Sequence, residues 1–283
     1  MSTTVAATRS QVASYDVARI MGGLYGDGII GLKGAFSRQW AAELREDIDR
    51  LFEEALQRPG GAVGRGPKRW YVECHPENIR GFVELATHPW VRAVSESILG
   101  KDYKIVEIGF DVPCPGATFQ PWHRDFPAPP ATLVGRRLNS LAFNVTAVDT
   151  IPEMGPFEVA PGTQWDEPAG WEHDMFPPQH LYERFEDRAQ QKMPQMGDIS
   201  ARSALTIHRG TPNRSTQQRP VLVLGVDGPD ATNSERHDLQ FTRAFYNSLP
   251  ADLKPHLPTA RIVSQLEPIH QAHDIETLRM GEA

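Results

Sequence analysis

The sequence has little cysteine, no long apolar run and no excess of positive charge, and each shortage removes a class of protein. Two cysteines, Cys74 and Cys114, can form at most one disulfide and cannot build a four-cysteine zinc or iron–sulfur site. A disulfide-stapled secreted fold is thereby excluded, and sparse cysteine fits a reducing cytoplasm, the expected location. No stretch approaches the roughly 20 consecutive apolar residues that a membrane helix needs. The net charge is -7, which disfavours nucleic acid and anionic membranes as partners, since both reward a basic surface. The glycine-rich stretch from Gly60 to Gly66 lacks the Gly-Lys-Ser/Thr ending of a phosphate loop and reads as a loop.

What is present is an ordinary globular composition, 40% hydrophobic and 23% charged over 283 residues. Residues 1–14 read as a disordered tail without a signal-peptide core, and 15–283 as a single domain. A short helix is expected over Tyr15–Tyr25, stopped by Gly26-Asp27-Gly28, with a strand opening at Ile29-Ile30. Ser37 is a plausible N-cap for a second helix whose apolar residues Trp40, Leu44, Ile48, Leu51, Phe52 and Ala55 recur at helical spacing. A third helix is predicted over Pro89–Leu99, with proline in its first turn and Gly100 as its stop. From residue 104 the period shortens to two: Val106, Ile108, Phe110 and Val112 alternate with Glu107, Gly109 and Asp111. Further strands are predicted at Leu138–Val148, Phe157–Ala160, Ala204–His208 and Val221–Val226, and from Arg243 a helix followed by irregular chain. Helices followed by many short strands indicate a mainly β fold, a double-sheet jelly roll with helices packed on one side. The polar, Pro- and aromatic-rich stretch 165–196 reads as an insertion over the mouth of the barrel and not as a core element.

The chemistry is carried by Pro121-Trp122-His123-Arg124-Asp125. In an extended chain residues i and i+2 share a face, so the His123 imidazole and the Asp125 carboxylate can meet one ion. His208 is expected to close the strand Ala204–His208 with Thr206 on its face, turned to the lumen. Two histidines and one carboxylate make the facial triad of non-haem iron(II) oxygenases, which leaves positions open for a bidentate 2-oxo acid and for dioxygen. A second such pair, His75-Pro76-Glu77, lies in a Pro-interrupted stretch with no strand before it and reads as structural.

Residues from about 20 to 228 resemble the phytanoyl-CoA dioxygenase family of iron(II)/2-oxoglutarate oxygenases, whose core is a double-stranded β-helix, a cupin-like jelly roll. Pro121-Trp122-His123-Arg124-Asp125 is similar to its Pro-Trp-His-Gln-Asp block. Gly155-Pro156-Phe157 to Pro161-Gly162-Thr163 resembles its Asn-Gly-Pro-Leu to Pro-Gly-Ser-His block, and Gly197-Asp198-Ile199 the Gly-Asp-Val turn. His208 to Arg219, through Asn213-Arg214-Ser215, resembles its His, Asn-x-Ser, Arg stretch, and Gly26-Asp27-Gly28 its Asp-Gly-Tyr entry. The resemblance implies His123, Asp125 and His208 as ligands of Fe(II), and Arg219, eleven positions beyond His208, as the anchor of the distal carboxylate of 2-oxoglutarate. Alternation agrees, because Arg219, Val221 and Val223 fall opposite Leu222, Leu224 and Val226, and a guanidinium grips a carboxylate bidentately. Arg214, in the Pro-Asn turn, is assigned to solvent. Gln120 is implied as a cosubstrate contact, with Thr163 and Asn144 as further lining positions. Two departures stand out: Gly210 where the family often has a small hydroxyl residue, and Gln164 where it commonly has histidine.

The expected reaction is oxidation of an unactivated carbon of a small molecule, by hydroxylation, desaturation, cyclisation or epimerisation, with O2 and 2-oxoglutarate converted to succinate and CO2. The alternatives are a metal-dependent cupin-like isomerase or hydrolase, which would carry a further His or Glu ligand, and a catalytically silent binding barrel. A halogenase is disfavoured by Asp125, which related halogenases replace with a small residue. A tailoring step in natural-product biosynthesis is expected by analogy, and a homodimer stays open. The stretches 60–71 and 165–196 are expected to be mobile covers of the site, with Trp70 or Tyr71 touching substrate.

Overall fold

The computed structural model describes residues 15–231 and 237–271; the tail assigned to 1–14 lies outside them. Helix α1 (Val17–Gly22) runs into a π turn, Gly23–Asp27, and Gly28 at φ 78° delivers the chain to strand β1 (Ile29–Leu32). Ser37 caps α2 (Arg38–Leu56), its hydroxyl accepting from the Trp40 N–H at 3.1 Å. Strands β2 (Val63–Gly64) and β3 (Arg69–Glu73) form a hairpin out of the expected loop. Helices α3 (Phe82–Thr87) and α4 (Pro89–Leu99) precede β4 (Lys104–Pro113), and α4 has the predicted bounds. The remaining strands are β5 (Ser140–Thr146), β6 (Phe157–Val159), β7 (Gln190–Lys192), β8 (Ile199–Ser203), β9 (His208–Gly210), β10 (Val221–Asp227), β11 (Gln240–Thr242) and β12 (Arg261–Val263).

A large antiparallel sheet of seven strands, in the order β1-β8-β5-β10-β4-β3-β2, and a small one, β7-β6-β9, make the two walls of a jelly roll. The outer face of the large sheet carries Ile108, Phe110, Phe143, Leu222 and Leu224 into one apolar core with Leu44, Ile48 and Phe52 of α2 and Trp90 and Val94 of α4. The amphipathic helices thus cover one face of the sheet and leave the other free to line a cavity.

Three expectations need correction. Residues 204–207 are turn, so His208 opens β9 and does not close a strand; the strand lies earlier, at Ile199–Ser203. Val106 does not share the core face with Ile108. The β10–β4 register shifts at Gly225/Val226, so that Gly225 pairs with Glu107 and Val226 with Ile105; Val106 and Glu107 then both line the cavity. Finally, 165–196 is more than a cover. Trp171 and Phe185 are buried with Trp122 in a second apolar cluster, and β7 is part of the small sheet.

Candidate active site

The cavity between the two sheets has a volume of about 440 Å³. His123 and His208 enter it as neighbours, because their backbones exchange hydrogen bonds: His123 N–H to His208 C=O at 3.0 Å and the reverse at 2.9 Å. Asp125 is fixed by its own N–H on the Ala204 carbonyl at 2.9 Å. Each imidazole turns Nδ1 to a carbonyl two residues back, His123 to Pro121 at 2.8 Å and His208 to Thr206 at 2.9 Å. A ring whose Nδ1 donates to a carbonyl presents a bare Nε2 lone pair, the tautomer a metal needs. One ligand atom from each of His123, Asp125 and His208 lies within 4.8 Å of the others. Among the described residues no fourth histidine or acid joins them, which removes the expected basis of a cupin-like isomerase. Burial lowers the pKa of both rings, that of His123 well below the ordinary histidine value, helped at His123 by His208 and at His208 by Arg202. Both are therefore neutral donors at physiological pH. Burial alone would raise the Asp125 carboxyl, but Arg202 and the two rings hold it far below the usual carboxylate range. Two neutral imidazoles and one carboxylate, with open cavity beside them, suit iron(II).

Arg202 was missed by sequence reasoning. Its Nη2 lies 2.8 Å from Asp125 Oδ2, while Asp125 Oδ1 faces His208 Nε2 at 3.4 Å. The carboxylate is therefore divided, one oxygen for the cation on the strand and one for the ligand cluster. The signal was present: in Ile199-Ser200-Ala201-Arg202, Ile199 and Ala201 belong to the apolar core and Arg202 falls on the cavity side. Placing the strand five residues too late hid it.

The residues on either side of His123 are packed into the body of the protein. Trp122 packs on Phe185, ring centres 6.0 Å apart, and the Arg124 guanidinium lies 4.4 Å from the Trp171 ring while donating to the Asp166 carbonyl at 2.8 Å. The stretch 165–196 thus backs the segment that carries His123 and Asp125. Its Met175, Phe176 and Met193 also reach the cavity.

Arg219 is buried and lines the cavity. The Asn213 amide shapes the turn that delivers it, donating to the Pro113 carbonyl at 2.9 Å and the Gln217 carbonyl at 2.8 Å. Arg219 Nε donates to the Gly155 carbonyl at 3.0 Å. Burial and the neighbouring Arg69 bring its pKa down to about 10, partly offset by Asp111; it stays cationic at neutral pH. Strand register sets two ends of the cavity. Val221, beside Arg219, pairs with Asp111 and Thr146, whereas Gly225 and Asp227 pair with Glu107 and Ser140.

Of the other expected residues, Asn144 and Gln120 line the cavity. The Gln120 side chain is engaged with backbone, accepting from Gly210 N–H at 2.9 Å and donating to Arg65 C=O at 3.1 Å. Thr163 falls outside the lining: its buried hydroxyl donates to Ala160 C=O at 2.6 Å and accepts from Ile207 N–H at 2.9 Å. It clamps the chain before His208. Tyr71 lines the cavity and donates to the carboxylate of Glu107, which burial raises in pKa. Trp70 is the next residue on the same strand, points to the other face and packs on the apolar core. Gln164, at the family's usual histidine, donates to the carbonyls of Tyr25 at 3.0 Å and Gly26 at 3.1 Å and stitches the π turn. His75 Nε2 meets Glu267 C=O at 2.7 Å, and Glu77 caps Thr242, so the second His-x-acid pair is structural.

Solved structures share this fold. The non-heme alpha ketoglutarate dependent carbocyclase SnoK from nogalamycin biosynthesis superposes with a TM-score of 0.62 at 16% identity, over 80% of this chain and 90% of that one. The epimerase SnoN, in complex with Fe3+, alpha ketoglutarate and nogalamycin RO, gives 0.60 at 18% identity, over 89% and 93%. HygX from Streptomyces hygroscopicus, with nickel and 2-oxoglutarate bound, gives 0.57 at 15% identity, over 82% and 91%. No curated protein sequence matches the chain. Residues 24–221, well over half of the chain, match the family model described as Phytanoyl-CoA dioxygenase (PhyH). The chain belongs to the phytanoyl-CoA dioxygenase family and is a non-haem iron(II)- and 2-oxoglutarate-dependent oxygenase.

Proposed function

We propose that His123, Asp125 and His208 hold the iron(II), that Arg219 anchors the distal carboxylate of 2-oxoglutarate, and that the substrate is a small molecule modified late in natural-product biosynthesis. The observation that carries this reading is the convergence of three ligand atoms within 4.8 Å in a cavity that also receives the Arg219 guanidinium. Iron(II) bound with 2-oxoglutarate and dioxygen supplies the oxidising chemistry, releasing succinate and CO2.

The protein's own share is placement. The Nδ1 bonds of both histidines hold the rings for their Nε2 donors, and Arg202 orients Asp125. Arg219 would hold the distal carboxylate of the cosubstrate and so set its direction. The opposite end of the cavity is left for the substrate, where Tyr71, Glu107 and Phe126 offer a mixed polar and apolar wall. Natural-product tailoring is supported by the likeness to SnoK and SnoN, a carbocyclase and an epimerase of nogalamycin biosynthesis.

The test is succinate release from 2-oxoglutarate under iron(II) and oxygen, across a panel of polyketide, glycoside and alkaloid scaffolds. Substrate-stimulated succinate with one of these is the expected result. Stimulation by acyl-CoA thioesters alone would overturn the natural-product reading.

A further inference from the structure

Around Arg219 the structure places more charge than an anchor needs. Arg69, on β3, is only 1% exposed. Its Nη1 pairs with Asp111 Oδ2 at 3.2 Å and its Nη2 donates to the Thr211 carbonyl at 3.2 Å. Asp111 lines the cavity at the Arg219 end, opposite Val221 in the β10–β4 register. Among the described residues Asp111 is paired with Arg69, and Arg219 makes no ion pair. Gly210 completes the arrangement: a Cβ there would stand 2.4 Å from the Arg69 Cζ and Nη2. No side chain fits at 210 while Arg69 keeps its place, and this is the position where the family resemblance leads one to expect a hydroxyl.

The charge count gives these contacts a purpose. Two guanidinium groups and one carboxylate leave a single buried positive charge, which one distal carboxylate would neutralise. Arg219 already feels the Asp111 carboxylate, so without Arg69 it is the buried cavity cation left to pair with Asp111. The two would then neutralise each other, and an incoming carboxylate would be a buried, uncompensated anion. We propose that Arg69 is a positioning residue of the cosubstrate site: by claiming Asp111 it keeps the Arg219 guanidinium available for 2-oxoglutarate, and Gly210 is the residue that admits it. This rests on the assignment of Arg219 as the anchor.

Calorimetric titration of 2-oxoglutarate into manganese(II)-loaded protein tests it without turnover. Arg69→Met should lower the affinity on the order of tenfold or more, the scale expected when a buried ion pair loses a partner. The double variant Arg69→Met/Asp111→Asn should regain most of the loss, because the competing carboxylate is gone. Asp111→Asn alone should bind at least as tightly as wild type, which keeps the test decisive if Arg69→Met folds poorly. Gly210→Ala should mimic Arg69→Met and respond to the same rescue. Failure of Asp111→Asn to rescue, or weakened binding in Asp111→Asn alone, would overturn the proposal and leave Arg69 a merely structural residue. Arg219→Met separates the two readings: if it leaves affinity unchanged the anchor assignment itself is wrong, and if it abolishes binding while Arg69→Met does not, only the inference about Arg69 falls.

Discussion

His75-Pro76-Glu77 and His123-Arg124-Asp125 have the same spacing, and both histidines are buried, 4% and 5% exposed. They differ in what the ring nitrogens meet. His75 spends Nε2 on the Glu267 carbonyl, and Glu77 receives the Thr242 N–H and hydroxyl, so this pair ties the C-terminal segment to the body. His123 spends Nδ1 on a carbonyl two residues away and leaves Nε2 to a cavity shared with Asp125 and His208. Burial therefore does not distinguish a ligand from a strut. A local carbonyl for one nitrogen and open space for the other does.

The sharpest way to break this contrast is to remove each ring. His123→Ala, Asp125→Ala and His208→Ala are each expected to abolish stoichiometric iron(II) and substrate-stimulated succinate, whereas His75→Ala should keep both and lower the unfolding temperature. Iron content after desalting reads the first, and loss of iron in His75→Ala with retention in His123→Ala would reverse the assignment. Next in size, Arg219→Ala should keep iron and weaken 2-oxoglutarate by about 2–5 kcal/mol, the cost of leaving a buried carboxylate unpaired. Arg214, exposed in its turn, should tolerate alanine in the same titration. Arg202→Met should weaken iron(II) by about 10–100-fold, as other residues that orient a metal ligand do; an unchanged affinity would mean that Asp125 orients itself.

The smallest effect concerns pH and the structural histidine. Burial lowers the His75 pKa, with the Glu267 carbonyl pulling the other way. Above about pH 6.5 the ring is neutral in both folded and unfolded chains and contributes no pH dependence. As pH falls through that value the unfolded chain takes up the proton first. Stability then declines by at most about 1.4 kcal/mol per pH unit from this group, until the lower folded pKa is reached. His75→Gln should flatten the acid limb of the melting temperature; an identical slope in both proteins would show that the ring titrates normally.

How much was legible follows the same division between local and distant causes. The alternation of Leu222, Leu224 and Val226 against Val221 and Val223 held, because β10 is regular over that span. The caps of α2 and α4 held because Ser37 and Gly100 act within one turn of their own helices. Val106 failed because it is the extra residue of a bulge in β4, which shows only in how β4 pairs with β10. Phe185 and Trp171 failed because a polar, proline-rich stretch conceals two aromatics whose partner, Trp122, is far away in sequence. Arg69 was invisible for the same reason: its meaning depends on Gly210 and Asp111, brought beside it by three different strands.

The reciprocal backbone bonds between His123 and His208 also set an order of assembly. Two of the three donor groups are juxtaposed by the chain itself, so the ion need not gather them from a disordered state. The scaffold is therefore expected to form before loading, so that metal leaves and returns without passage through an unfolded chain. Chelation should yield an empty but native barrel, ready to be recharged with iron(II) or with a redox-silent substitute.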